Sequence, residues 1–421
     1  MVAAPSRSDA HEPSTVSLRA LDQANFFLAD VRDGLGPYLA IYLLTSRHWK
    51  AQDIGLAMSV MGIATVVSQT PAGALVDRTR RKRLYSILAS LLIATASLGT
   101  VLLPTFSVII GGQVLMGLAA AWFTPALAAI TLGLVGHKAL DRRIGRNETA
   151  NHGGNVFAAA MAGLIGYYVS AEGIFVLLAA MSLLSSVAIW RIRESDIDHE
   201  RARGDGDNKT DSNKQKMGWR ALASNRDILF FALACVLFHF ANAAMLPLLG
   251  QQLAKGNGAG TSSAYMSACI IVAQVVMIPV SYWAGQLAPN GRKRLLLIGF
   301  AVLPVRGLLY TLTGDPIALV SIQLLDGVGA GLFGVLSVLI VADLTQGSGL
   351  FNTTQGAIAT AVGLGASLSN AFAGAIVQRS GYASAFLILS GIAVAALAVF
   401  WLLVPETCQY TSTSTQARNT V

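Results

Sequence analysis

The sequence predicts an all-α membrane protein, with twelve transmembrane helices arranged as two six-helix bundles related by an internal repeat. Three observations predict it. Of 421 residues, 54% are apolar and only 12% charged, and the mean hydropathy is +0.57. Apolar runs of about 20 residues, the length a helix needs to cross hydrocarbon, recur twelve times. Short motifs of the first half return about 210 residues later. A soluble chain of this size carries about twice that share of charge, most of it on its surface. The net charge of +8 is no nucleic-acid footprint, because the basic residues sit in short clusters between apolar runs.

The runs fall at 22–46, 52–76, 84–104, 106–134, 146–170 and 172–191, then at 227–252, 262–288, 294–313, 316–343, 350–378 and 382–404. Pro104 and Thr105 alone divide the third from the fourth. Runs above 25 residues predict tilted or projecting helices. The 41 glycines, and prolines such as Pro37, Pro125, Pro247 and Pro279 inside runs, fit membrane helices, where small residues let backbones approach. Residues 1–20 are polar, with no apolar stretch for a cleavable signal peptide, and read as a cytoplasmic tail. The expected organisation is a first bundle over 21–191, a flexible polar cytoplasmic linker over 192–225, a second bundle over 226–404 and a cytoplasmic tail over 405–421.

Orientation follows from Lys and Arg. With both termini cytoplasmic, 24 of the 30 basic residues fall in cytoplasmic segments, four (Arg47, Lys50, Lys255, Arg379) in outer loops, and Arg32 and Arg306 within spans. Positive residues are retained inside, so this bias, which the opposite topology would reverse, predicts cytoplasmic termini and a multi-pass cell-membrane protein. Cys235, Cys269 and Cys408 are too dispersed for a disulfide framework or a metal set. No metal and no cofactor is expected.

The repeat is explicit. Gln113 to Phe123 (QVLMGLAAAWF) returns as Gln323 to Phe333 (QLLDGVGAGLF). Pro37-Tyr38-Leu39 returns as Pro247-Leu248-Leu249, and Gly73-Ala74-Leu75 with Arg81 to Leu84 returns as Gly285-Gln286-Leu287 with Arg292 to Leu295. Three matches in chain order at nearly one offset point to a duplicated six-helix unit.

The loop Gly73-Ala-Leu-Val-Asp77-Arg78-Thr-Arg80-Arg81-Lys82-Arg83 resembles the signature between helices 2 and 3 of the major facilitator superfamily. A second copy keeps Gly285, Leu287, Gly291, Arg292 and Lys293, with Pro289 at the place of the Asp. The resemblance covers the whole chain. It implies two bundles around a midplane cavity, rocking to give alternating access. It further implies a gating loop of Gly73, Asp77, Arg78, Arg81, Gly285 and Arg292, with Asp77 latching the two halves near the start of span 11. The residues alone also allow the basic ones a purely topological role.

Charges inside spans are costly and point to function. Asp30, Arg32 and Asp33 lie roughly 12–17 Å along span 1. Asp30 and Asp33, three apart, share a helix face. Two carboxylates crowded in low dielectric hold a proton between them, which suits a proton carrier. Arg32 points elsewhere, as counter-ion or as anion-binding group. Arg306 and Asp326 flank the turn at Asp315-Pro316 and come to similar depth, which predicts a structural ion pair. Because the repeat partner of Asp326 is Met116, a proton-coupling role for Asp326 stays open. Glu148 and His152, four apart in span 5, form a proton relay or an interhelical clamp. Tyr38, Gln113, Trp122, His239, Asn242 and Gln323, together with Arg32, are the candidate solute-binding residues of an apolar cavity with few polar anchors.

These observations predict a proton-coupled transporter of a small organic solute, exporting, embedded in lipid as a monomer. Uptake of an organic anion in symport with protons, using Arg32, is one alternative. A receptor or scaffold that retains the fold without cycling is another. No nucleophile–base set marks an enzyme.

Overall fold

The computed structural model describes residues 13–29, 31, 36–200, 202, 225–256, 258–345 and 351–408. These form twelve α-helices: α1 Thr15–Leu28, α2 Gly36–Thr45, α3 Ala51–Arg78, α4 Lys82–Leu102, α5 Phe106–Tyr168, α6 Ala171–Arg191, α7 Arg226–Asn242, α8 Met245–Gly256, α9 Ala259–Leu287, α10 Arg292–Leu312, α11 Pro316–Leu344 and α12 Phe351–Leu403. Helices and membrane crossings do not map one to one. One apolar segment, Arg226–Lys255, takes in both α7 and α8. Conversely, α5 is broken at Gly136 (φ 66°, ψ 177°) and α12 at Gly381 (φ 82°, ψ 173°). Both glycines take left-handed φ values that an L side chain resists. At 1.5 Å per residue, Thr354–Leu403 would run about 75 Å as one helix, more than twice the roughly 30 Å hydrocarbon core, so it holds two crossings. Among the described residues nine helical segments are long and apolar enough to span a membrane, with Gly36–Thr45 a shorter apolar one. The arrangement is consistent with twelve crossings.

Two starting points differ from the expected runs. Helix α1 begins at Thr15 rather than 22, because Ser14 caps it by accepting the Ser17 N–H at 3.2 Å. Its first turns are amphipathic and so escape a search for apolar runs. Helix α2 opens on Gly36-Pro37, where proline's missing N–H costs nothing.

The chain divides into two compact units. The first comprises Met1–Gly34, Val67–Asn155 and Val176–Ser212; the second comprises Leu35–Val66, Val156–Phe175 and Asn213–Val421.

In the first unit, polar side chains tie neighbouring helices. Trp122 Nε1 donates to Ser86 Oγ (2.9 Å), joining α5 to α4, and Ser185 Oγ donates to Ser90 Oγ (3.0 Å), joining α6 to α4. Asn147 Nδ2 donates to Thr131 Oγ1 (3.0 Å) across the Gly136 break. Arg143 donates to Asp22 Oδ1 (2.5 Å) and the Leu18 carbonyl (3.0 Å), fixing α5 on α1. The start of the expected flexible linker is instead ordered: Ile192 and Ile197 are buried, and the Asp198 N–H donates to the Gly133 carbonyl (3.0 Å). Burial of these scattered isoleucines, invisible to a composition count, holds the segment down.

In the second unit, one end is closed by backbone-close packing. A Cβ at Gly55 would collide with the Asn370 carbonyl, and one at Gly374 would lie 2.5 Å from the Ala51 carbonyl. The Ala371 N–H donates to Ser59 Oγ (2.8 Å), and Tyr38 Oη shares a 2.7 Å hydrogen bond with Ser267 Oγ. Glycine at these contacts lets α3 and α12 approach as no larger residue would.

Candidate functional site

The candidate site lies in the second unit, among α7, α10 and α11. A cavity of about 200 Å³ is lined there by aromatic, small and polar side chains. Helix α7 brings Phe238, His239 and Asn242 to it, one helical turn apart. Helix α10 brings Arg306; helix α11, entered through the Asp315 cap (Ala318 N–H to Asp315 Oδ2, 2.8 Å), brings Asp326 and Phe333.

Arg306 is buried, its side chain 3% exposed, and it pairs with Asp326, which is 23% exposed. Arg306 Nη2 also donates to Asn242 Oδ1 (2.5 Å) and lies 3.4 Å from Met245 Sδ. Its guanidinium stands 5.9 Å from the Tyr310 ring, whose hydroxyl accepts from Gln323 Nε2 at 2.5 Å. A buried arginine is tolerated only with partners of this kind. The aromatic wall is built in depth. Phe238 and Phe333 lie parallel (5.2 Å, 7°), His239 meets Phe333 edge-on (4.6 Å, 73°), and Phe300 backs Phe238 (4.7 Å). His239 Nδ1 is held 3.0 Å from the Cys235 carbonyl.

Of the expected solute-binding residues, His239 and Asn242 line this cavity, and Gln323 stands behind it through Tyr310. Three others do other work. Tyr38 closes the packed end through Ser267. Gln113 is buried and contacts Met116 Sδ (3.7 Å), and Trp122 is bonded to Ser86. Arg32, with Asp30 and Asp33, lies outside the described residues. Glu148 is exposed and His152 half-buried. Phe238 and Phe333 line the cavity without having been expected from the sequence, and Met245 is buried against Arg306 behind it. The repeat pairs Phe333 with Phe123, which is fully buried, so it gives no sign of a cavity position.

The gating-loop residues fall at helix junctions. Gly73 ends no close contact: a Cβ there would meet nothing within 4 Å, and the same holds for Gly285. The side chain of Asp77 lies outside the described residues, and Arg78 and Arg81 are exposed. Arg83 grips the end of α6, through the Trp190 carbonyl (2.5 Å) and Glu194 (3.0 Å). The second copy repeats the grip. Lys293 Nζ donates to the Trp401 carbonyl (2.7 Å), and Glu406 accepts the backbone N–H groups of Arg292 (3.0 Å) and Lys293 at the start of α10. Arg292 itself pairs with Asp343 and donates to the Leu339 carbonyl (2.6 Å) at the end of α11. Among the described residues no group of His, Cys, Asp and Glu could hold a metal ion.

Comparison with known proteins agrees with this architecture. The family model of the Major Facilitator Superfamily matches residues 24–359 and 283–420. Two uncharacterised MFS-type transporters of Mycobacterium tuberculosis, from strains CDC 1551 / Oshkosh and ATCC 25618 / H37Rv, are each 48% identical over 390 residues, covering 92% of this chain and 93% of theirs. Among solved structures, the nucleoside transporter NupG superposes with a TM-score of 0.73 at 16% identity, covering 92% of this chain and 98% of its own. A bacterial homolog of the human lysosomal transporter Spinster, in an inward-facing and unoccupied conformation, gives 0.75 at 14% identity, covering 94% and 98%. At such identities the two structures establish the fold alone, whereas the family match and the mycobacterial relatives span nearly the whole chain. The protein belongs to the Major Facilitator Superfamily, and is a multi-pass membrane transporter of a small molecule rather than an enzyme.

Proposed function

We propose that the protein exports a small organic solute across the cell membrane in exchange for protons, as a monomer with both termini in the cytoplasm. One observation carries this reading: a carboxylate, Asp326, stands partly exposed on a cavity wall while its partner Arg306 is buried behind it. Charges at membrane depth cost at least about 2.5 kcal/mol each and are kept where function needs them. Here a proton arriving on Asp326 cancels its hold on Arg306. Solute and proton then compete for one group, which is the requirement for exchange. Asp30 and Asp33 supply a second carboxylate pair, read from the sequence, for the same task. The excess of Lys and Arg in the cytoplasmic segments supports the orientation. The bilateral grips of Arg83 and Lys293 on the sixth and twelfth crossings support two bundles that move as bodies.

The test begins with metabolite comparison of cells carrying and lacking the gene. A solute retained in the deletion strain supports export; a solute depleted inside it supports uptake instead. That solute is then followed in proteoliposomes with and without an imposed pH gradient. Transport indifferent to the gradient removes proton coupling from the reading.

A further inference from the structure

We propose that the cavity of the second unit recognises a planar heteroaromatic solute bearing N–H donors, uncharged or cationic, and rejects organic anions of the same shape. This rests on the reading of that cavity as the site of the transported solute and names the solute's class.

The sign follows from which charges a solute can reach. Arg306 has one terminal nitrogen on Asp326 and the other on Asn242 and Met245, and its side chain is only 3% exposed. Among the described residues, no other cationic side chain lines the cavity. Asp326 is 23% exposed there, so the reachable charge is negative. Asn242 gives its oxygen to Arg306 and keeps its amide N–H groups for other partners. Among the described lining residues, an anion entering would meet a carboxylate whose only cationic neighbour, Arg306, is already engaged. A ring edge with two adjacent N–H groups would meet an acceptor suited to paired hydrogen bonds.

The shape follows from the wall. Phe333 is held by Phe238 on one side and His239 at its edge, and Phe300 and Phe400 (4.6 Å, 11°) stack behind. Such a backed wall is fixed before a solute arrives, and aromatic rings favour offset or edge-on neighbours. Gly334 lines the same cavity with nothing within 4 Å of the place a Cβ would take, whereas Gly299 and Gly329 bring α10 and α11 close together beside it. Its volume of about 200 Å³ is below the ~300–1,000 Å³ of drug-sized pockets, which fits one ring or two fused rings.

The test uses the purified full chain in detergent, without any pH gradient. Radiolabelled 2-aminobenzimidazole is the probe, and benzimidazole-2-carboxylate, the same ring with the opposite charge, is the competitor. The amine is expected to bind and the carboxylate to compete at least about tenfold less well than unlabelled amine, the size of one charge-assisted hydrogen bond. Asp326→Asn should weaken the amine by a similar factor. Because that variant leaves a buried arginine unpaired, Gly334→Leu provides a second arm. A Cβ at Gly334 meets nothing within 4 Å, so a larger side chain has open space to enter from there. The leucine should abolish amine binding at an unchanged unfolding midpoint. Absence of amine binding, equal competition by the carboxylate, or Gly334→Leu binding like the wild type would each overturn the inference. Gradient-driven transport of an anionic metabolite would also sink the recognition rule, yet leave proton coupling standing. Amine binding together with gradient-blind transport would do the reverse.

Discussion

Arg306 bridges the break in the seventh crossing by way of Asn242. Asn242 is the last residue of α7 and Met245 the first of α8, and one guanidinium nitrogen contacts both. Within the break, the Ala244 N–H donates to Ser369 Oγ of α12 at 3.1 Å. The cavity charge pair is therefore joined directly to the break between α7 and α8, the point at which this crossing would hinge. Beyond the hinge, α8 packs against α2: a Cβ at Gly250 would sit 3.3 Å from Ile41. Removing the link should slow the cycle more than it weakens binding. Asn242→Ala is expected to lower the turnover of the transported solute several-fold with a smaller change in its apparent affinity. It should cost about 1.5–3 kcal/mol in stability, the range for a hydrogen bond to a charged group. Initial-rate transport and thermal unfolding on the same preparation check both, and an unaltered turnover would detach the hinge from the pair.

The pair itself makes a second prediction. Removing one member of a buried ion pair strands the other, at a cost of about 3–5 kcal/mol, whereas replacing both by apolar residues is often neutral. Arg306→Leu and Asp326→Leu should each destabilise by about that amount, and the double variant should recover most of the loss. Its transport should respond less to a pH gradient than that of the wild type. Two singles whose losses simply add in the double would show that the residues do not depend on each other.

The packed end of the second unit predicts an accessibility change. Gly55→Leu cannot be accommodated against the Asn370 carbonyl and the Gly374 backbone, so this end must open. A cysteine at Ser59, whose hydroxyl is buried and bonded to the Ala371 N–H, reports the event. In Ser59→Cys alone, a membrane-impermeant thiol reagent should label slowly. In the Gly55→Leu background labelling should rise about tenfold or more, because the buried thiol is unreactive until exposed. Equal labelling in the two backgrounds would mean that the end is already open.

Much of the fold was legible because hydrocarbon imposes one simple rule, a run of about 20 apolar residues per crossing. The boundary between the last two runs falls at the Gly381 break. Legibility failed where apolarity was not the deciding force. Helix α1 starts seven residues early on a serine cap, and the ordered start of the linker depends on two isoleucines and one carboxylate. The candidate cavity was half legible. Arg306 and Asp326 declared themselves as charges in apolar runs, and they do meet. Phe238 and Phe333 did not, because a cavity-facing aromatic and a core aromatic look alike in sequence. Trp122 and Gln113 lie outside this cavity, and the Trp122–Ser86 bond shows that a polar tip in an apolar run can also be satisfied inside a bundle.

The carboxylate that holds the linker predicts a pH dependence. Burial pushes the Asp196 carboxyl up, but hydrogen bonds from Ser14 Oγ (2.5 Å), Ser17 Oγ (2.7 Å) and the Ser14 N–H (3.1 Å), with the charge of Arg193, outweigh it and hold the group at about 2, below its ordinary 3.8. A carboxyl depressed in the folded state contributes stability that is complete above its unfolded value and disappears as the pH falls through the folded one. The contribution of Asp196 should therefore be full at neutral pH and vanish between about pH 4 and pH 2. Asp196→Asn keeps the shape and removes the charge. Its unfolding midpoint should lie below the wild type at pH 7 and converge on it near pH 2. The same contacts join the start of α1 to the segment after α6, so proteolysis between 192 and 202 should speed up in the variant at neutral pH. A midpoint difference that stays constant across the acid range would mean that Asp196 holds the segment by shape rather than by charge.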